Sequence, residues 1–178
     1  MLKYIANVDD RMNIAIELDE FDETNVYFNK PVRNTVIDES NFLRVTYSNN
    51  MFSMNGIYII AKIYVSFKEK HYNKYKCYFD VNANRGVTDK LIQVEKEILE
   101  RINIPKKTPV FKIRQQLNVG HIKIFTENTG QPITSYYILK MSGVWETNTE
   151  YGITYKFINV SNLSNSNHLS KKTQEQPA

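Results

Sequence analysis

The sequence predicts a mainly β domain with one amphipathic helix, of the α+β class, and three observations lead there. Runs rich in β-branched and aromatic residues recur along the chain, separated by short polar turns. One segment alone, residues 91–102, switches to a three- and four-residue apolar period. The composition, 42% hydrophobic with 12 tyrosines and 9 phenylalanines in 178 residues, supplies enough apolar surface for one core but is short for two full domains.

Taken in order, residues 9–23, "DDRMNIAIELDEFDE", enclose an alternating segment, 12–18, between carboxylates, and read as a strand or short arm beside an acidic loop. Short β-like runs follow at 26–28 and 42–47. The strongest strand signal is "IYIIAKIYVSF", 57–67. A second strand, 72–81, comes after only a few charged residues, so the two are expected to form an antiparallel hairpin. After "NANRG", Leu91, Val94, Ile98 and Ile102 recur at helical spacing. Thr88 is expected to cap this helix, Asp89 suits its positive first turn, and Pro105 stands just beyond its end. Further β segments are expected at 110–115, 122–126, 136–145 and 153–160. Strands, one helix and more strands suit a five-stranded OB-like antiparallel barrel with additional N-terminal strands, the helix joining the third and fourth barrel strands. The expected organisation is an acidic N-terminal β extension over 1–50, the OB-like β domain over 51–160, and a polar tail over 161–178. That tail has too little apolar surface to offset the entropy of ordering and is expected to be flexible.

Charge is divided unevenly. Residues 1–50 hold 5 Lys or Arg against 9 Asp or Glu, net −4, whereas residues 51–178 hold 18 against 10, net +8. A positive surface concentrates polyanions, so the later part is where such a partner would sit. The apolar run at 57–67 is interrupted by Lys62 and is shorter than the roughly 20 residues of a membrane-spanning helix, so no membrane partner is expected. The first residues, "MLKYIANVDD", lack the apolar core of a secretory signal. Cys77 is the single cysteine, which excludes an intramolecular disulfide and suits a reducing intracellular setting.

Alternation sorts the strands into faces. Tyr75, Cys77, Phe79 and Val81 form an apolar row, leaving Tyr72, Lys74, Lys76 and Tyr78 on the other side. In the preceding strand, Ile57, Ile59, Ala61, Ile63 and Val65 point inward, and Tyr58, Ile60, Lys62 and Tyr64 outward. Later segments continue the habit with Lys112 and Arg114, Lys123 and Phe125, Lys140, and Lys156. Ammonium groups that follow phosphates beside flat rings that stack on bases are what a single-stranded nucleic acid requires. The same pattern also serves solubility, since lysines discourage edge pairing and tyrosine favours strands in any case.

Near the carboxyl end stands "ILKMSGVWETNTEYGITYKF". Its Ser-Gly-apolar-Trp-Glu followed by Tyr-Gly-apolar-x-Tyr-Lys resembles a motif of small proteins from large double-stranded DNA viruses, of an OB-like, single-stranded-DNA-binding type. The similarity covers residues 79–157, "LNVGHIKIF" fitting it less specifically, and it singles out Ser142, Gly143, Trp145, Glu146, Tyr151, Gly152, Tyr155 and Lys156. It implies a role in viral DNA replication, recombination or repair, in the host nucleus or at a viral replication site. The tail departs from the acidic tail common in replicative single-strand binders. Independently of the resemblance, Gly143 within a strand suggests a bulge or close backbone approach, and Trp145 reads as a core anchor or a base platform.

Catalytic signatures are lacking: no phosphate-cradling Walker loop, zinc-protease helix, Gly-x-Ser-x-Gly elbow or cysteine-pair metal site occurs. His71 and Cys77 are too few for a structural zinc site, and the carboxylates Asp9, Asp10, Asp19, Glu20, Asp22 and Glu23 read as a solvated loop rather than a cation site. The leading expectation is therefore a non-enzymatic binder of single-stranded DNA or RNA without a cofactor, with room for a homo-oligomer. Its expected contact residues are Tyr58, Lys62, Tyr64, Tyr72, Lys74, Lys76, Tyr78, Lys112, Arg114, Lys123, Phe125, Lys140, Trp145 and Lys156. A structural or assembly protein of a virion is the rival, and a degenerate enzyme subunit a distant third.

Overall fold

The structure, a computed structural model, describes residues 3–6, 12–125, 135–160 and 162–164. Strand makes up 47% of the chain, so the protein is mainly β, with two α-helices. In chain order the strands are β1 (Lys3–Ala6), β2 (Met12–Glu17), β3 (Val26–Phe28), β4 (Val32–Arg33), β5 (Asn41–Ser48), β6 (Ser53–Asn55), β7 (Ile57–Lys62), β8 (Phe67–His71) and β9 (Lys74–Tyr78). Helix α1 (Arg85–Ile102) follows, then β10 (Thr108–Val110), α2 (Lys112–Asn118), β11 (His121–Phe125), β12 (Tyr136–Glu146), β13 (Glu150–Asn159) and β14 (Asn162–Ser164).

The main path of the sheet runs β14-β1-β2-β7-β12-β13-β11-β9-β8. It is mixed: β2 runs parallel to β7, and β10 and β11 parallel to β13, while the other pairs on this path are antiparallel. The sheet is not closed, and the expected OB-like barrel is not confirmed. Strands from the first 50 residues belong to it, β2 through β7 and β5 through β12. Of the expected tail, residues 162–164 pair with β1, and the rest of it lies outside the described residues.

β12 organises the middle. Along one edge it pairs with β13 for its whole length; along the other, Tyr136 to Met141 pair with β7 and Gly143 to Glu146 with β5. The β13 register shifts between Met141 and Gly143, the bulge or close approach that a glycine there suggested. A Cβ on Gly143 would lie 2.3 Å from the Leu43 carbonyl oxygen and 2.5 Å from the Phe42 ring, so only glycine lets β5 come so near.

The inner face is the core. Ile57, Ile59, Ala61 and Ile63 of the β7 region, Cys77, Ile122, Leu139 and Phe157 are buried there with Leu91, Val94, Ile98 and Leu99 of α1. Helical spacing thus assigned the buried stripe of α1 correctly. Its start was misassigned: α1 begins at Arg85, and Thr88 is a buried residue inside it whose hydroxyl donates to the Asn84 carbonyl at 3.1 Å. Asn84 is committed elsewhere, accepting from the Tyr64 amide at 2.8 Å and donating to the Tyr64 and Asp80 carbonyls, which pins the loop after β7 to the helix.

Two strand expectations need correction. Residues 57–67 and 72–81 do not form one hairpin; β9 pairs with the short edge strand β8, and β12, β13 and β11 lie between β7 and β9. Alternation gave the faces but not the neighbours, since nothing local distinguishes one pairing partner from another. Residues 110–115, expected as a strand, hold the end of β10 and the start of α2. There Ile113 and Leu117, four apart, are buried, and helical spacing overrides the apparent alternation.

Ile98→Ala should lower stability by about 2–5 kcal/mol as a core truncation, measured by chemical denaturation. An unchanged midpoint would mean that the wrong face of α1 is assigned to the core. Gly143→Ala should destabilise by about 1–3 kcal/mol or more through overpacking against β5. Parent-like melting would show that β5 can withdraw freely.

Candidate nucleic-acid interface

Strand register carries the outward residues of β7, β12, β13, β11 and β9 onto one face. Tyr58 lies opposite Lys140, and Lys140 opposite Lys156. Ile124 is the partner of Phe157, which brings Lys123 beside Lys156, and Lys123 lies opposite Lys76. Lys140, Lys156, Lys123 and Lys76 therefore form a row across four adjacent strands, and the next position, on β8, is Glu69. With strands about 4.8 Å apart, the three steps of this row span roughly 14 Å. Among the described residues no ion pair joins any of these four lysines to a carboxylate.

Aromatic rings flank the row. Lys140 Nζ lies 4.9 Å from the centre of the Tyr58 ring, Lys76 Nζ 4.8 Å from Tyr78, and Lys62 Nζ 5.0 Å from Tyr64 and 5.7 Å from Tyr136. Tyr78 also stacks with Phe67 at 5.8 Å and lies 6.2 Å from His121. Phe67, 61% exposed, and His121 were not anticipated as site residues: Phe67 reads as the end of an apolar run, and His121 as one polar residue in a strand. Only pairing with Tyr78 gives them a place.

Electrostatics records how positive this region is. The His121 pKa is lowered, first by burial and then by the Lys76 and Lys123 ammoniums. Glu69, exposed, is held below the usual carboxylate range by its hydrogen bond and charge interaction with His71, then by the Tyr78 hydroxyl and Lys76. Beyond Lys76 lies a concavity of about 310 Å³ lined by His71, Lys74, Lys76 and Lys123.

The remaining expected residues are placed elsewhere or differently. Tyr72, 97% exposed, sits in the turn of the β8–β9 hairpin at positive φ rather than in a strand row. Phe125 ends β11 opposite Lys74, and its side chain lies outside the described residues. Lys112 and Arg114 are on α2, where Lys112 Nζ lies 5.0 Å from the Trp145 ring and the Arg114 guanidinium 4.3 Å from Phe111. Trp145, only 7% exposed, packs on Gly152, where a Cβ would come within 2.6 Å of the indole. Of its two readings the core anchor holds, and it offers no open base platform. Ile60, expected to face outward, is buried in a small second cluster with Ala15, Ile138 and Val160.

No group of three His, Cys, Asp or Glu that could hold a metal occurs among the described residues. His71 contacts Glu69 at 3.1 Å, and Cys77 is buried on the opposite face, its thiol pushed up to about 11 mainly by burial. In the acidic stretch, Asp19 pairs with Lys90 and Asp22 accepts from Thr24, while Asp9 and Asp10 lie outside the described residues. Among the described residues no helix is long and apolar enough to cross a membrane.

Glu95 is a residue that helical spacing does not single out among the charged residues of α1. It is fully buried, and its two carboxylate oxygens accept the Ile113 and Arg114 amides, both at 2.8 Å. These are first-turn N–H groups of α2 that no intrahelical carbonyl can satisfy. Burial raises the Glu95 pKa against the opposing pull of the Arg114 and Ile113 amides. The folded state therefore keeps this proton to higher pH than the unfolded chain. That contribution to stability is complete below the ordinary glutamate value, about 4.3, and is lost as pH rises through the folded value. Glu95→Gln should lack this slope, and denaturation of both proteins from acid to neutral pH checks it; parallel profiles would contradict the assignment.

Compared with models of protein families, with curated proteins and with solved structures, the chain matches none.

Proposed function

We propose that this protein is a non-enzymatic binder of single-stranded nucleic acid, DNA before RNA, and that the strand lies across the lysine row. The observation that carries this reading is the register itself. Lys140 is directly opposite Lys156, and Lys123 directly opposite Lys76. Like charges directly opposite in a sheet are destabilising, by about 0.2–1 kcal/mol for a pair. Two such pairs side by side, with no ion-paired carboxylate among the described residues, are a liability for folding and an asset for holding a polyanion. Phosphates would supply counter-charge to the row, and Tyr58, Tyr78 and Phe67 would offer ring surface to bases.

An open sheet face can serve as a stacking and phosphate platform without closing into a barrel. The reading therefore does not depend on the OB-like topology. The resemblance of "SGVWET" and "YGITYKF" to proteins of large DNA viruses extends it to viral DNA replication, recombination or repair. The buried setting of Trp145 and Gly152 gives that motif a packing role beside the interface rather than a contact role within it.

Lys156→Ala and Lys123→Ala separate function from stability. Each should lower the log–log salt slope of single-strand binding by about 0.7 for a lost phosphate contact. Each should also leave the melting temperature unchanged or slightly raised, because a repulsive pair is relieved. Anisotropy titrations at several salt concentrations, together with thermal melts, provide both readouts. An unchanged slope in both variants would refute the interface. Self-association of the parent protein with no affinity for any oligonucleotide would favour the virion assembly reading.

A further inference from the structure

The lysine row has an end, and the end differs from the middle. From Lys140 through Lys156 and Lys123 to Lys76 each step offers an ammonium, but the next position is the Glu69 carboxylate on β8, the last strand of the path. A phosphate chain continuing past Lys76 would meet a negative charge at the rim of the sheet. Glu69 is held ionised there by His71, Tyr78 and Lys76. Just short of this stop, His71, Lys74, Lys76 and Lys123 line the concavity of about 310 Å³. Lys74 adds to the row an ammonium that stands two residues along β9 from Lys76. On the other side of Lys76, also two residues away, Tyr78 stacks with the exposed Phe67 ring. From Lys76 to Tyr78 two strand residues span about 6.8 Å, which suits a phosphate held at Lys76 and its own base at Tyr78, with Lys74 on the far side of the phosphate.

We propose that this concavity is an end-recognition site: it takes the terminal phosphate monoester of a single strand, with the terminal base directed to Phe67 and Tyr78. The inference rests on the lysine row being a nucleic-acid track and adds where the track stops. A phosphodiester within a strand carries a single charge, whereas a terminal monoester carries about −1.5 to −2 near neutral pH and presents three acceptor oxygens. Among the described residues three ammoniums line this one recess, more than a diester's single charge engages, and they fit the monoester. The imidazole of His71, in contact with Glu69 at 3.1 Å, closes the recess toward the sheet edge.

The test uses the full chain and oligonucleotides of one sequence that carry a 5′-phosphate, a 3′-phosphate or hydroxyl groups at both ends. One of the phosphorylated strands should bind roughly tenfold tighter than the hydroxyl-ended strand, the worth of about one charge-assisted hydrogen bond. Lys74→Ala should bring that ratio close to one, whereas Lys140→Ala, far along the row, should weaken both strands and leave the ratio intact. Equal binding of all three parent complexes overturns the end site while leaving the track in place. A ratio that survives Lys74→Ala overturns its assignment to this concavity. A nucleoside monophosphate that displaces the phosphorylated strand at equal concentration assigns the recess to free nucleotides instead. Failure of every strand to bind overturns the track and the end site together.

Discussion

The approach of the Leu43 carbonyl to Gly143 decides how β12 can serve three neighbours. A strand has two edges, and β12 gives one of them entirely to β13. The other must be shared between β7 and β5, which is feasible only if the chain shifts where the partners change. The bulge after Met141 supplies that shift, and the missing Cβ of Gly143 supplies the space. Because β7 then holds β2, and β13 holds β10 and β11, most of the sheet is positioned from this one junction. The register upstream of the bulge, Lys140 opposite Lys156, is part of the same alignment. A one-residue slip of either strand would turn its own lysine into the core and expose its own Leu139 or Phe157. Burial of the inner face is thus what keeps the charges aligned on the outer one.

Two buried polar side chains do for the helices what Gly143 does for the strands. Asn84 ties the start of α1 to the loop leaving β7, and Glu95 ties the start of α2 to the middle of α1. Each satisfies backbone groups that would otherwise be buried without partners, and a buried orphan donor costs about 1–3 kcal/mol. Tyr155 extends the second junction, its hydroxyl donating to Gln116 Oε1 at 2.5 Å, with burial and then Glu95 pushing its pKa to about 12. Tyr155 is next to Lys156 in β13, so one strand carries the α2 anchor on its inner face and a lysine of the row on its outer face.

Legibility in the sequence followed how local each signal was. The period-two alternation of β7 and β9 identified the faces of Lys62, Lys74, Lys76 and Tyr78, and the 3.6 period of α1 identified Leu91, Val94 and Ile98 as core. Gly143 was readable because a glycine amid bulky strand residues needs a steric reason. The neighbours of each strand were not readable, since the choice between β8 and β7 as the partner of β9 is made by contacts distant in sequence. The same holds for α2. Its seven residues alternate plausibly as a strand, and what favours the helix is Glu95, 18 residues before Ile113. The candidate site was therefore legible in part: Lys62, Lys74, Lys76 and Tyr78 could be assigned to the outer face, but neither the row across four strands nor the places of Phe67 and His121 beside Tyr78 could be read.

If this face binds a strand as proposed, the pairing of lysines with rings on it has a consequence for how binding energy would be distributed. Ammonium groups with no ion-paired carboxylate among the described residues still need partners, and Lys62, Lys76 and Lys140 find them in Tyr64, Tyr78 and Tyr58. Such contacts at exposed sites contribute about 0.5–1 kcal/mol each, enough to hold the side chain without cancelling its charge. A carboxylate partner would have held it more firmly but removed the field that, in the proposed reading, would attract phosphates. Each ring is then already engaged by the cation next to it, so a base that stacks on Tyr78 and a phosphate that draws Lys76 away from it act on one pair. The energies of ring and lysine at that position cannot be additive, because residues in contact couple. The face is pre-organised by the interactions that a bound strand would take over.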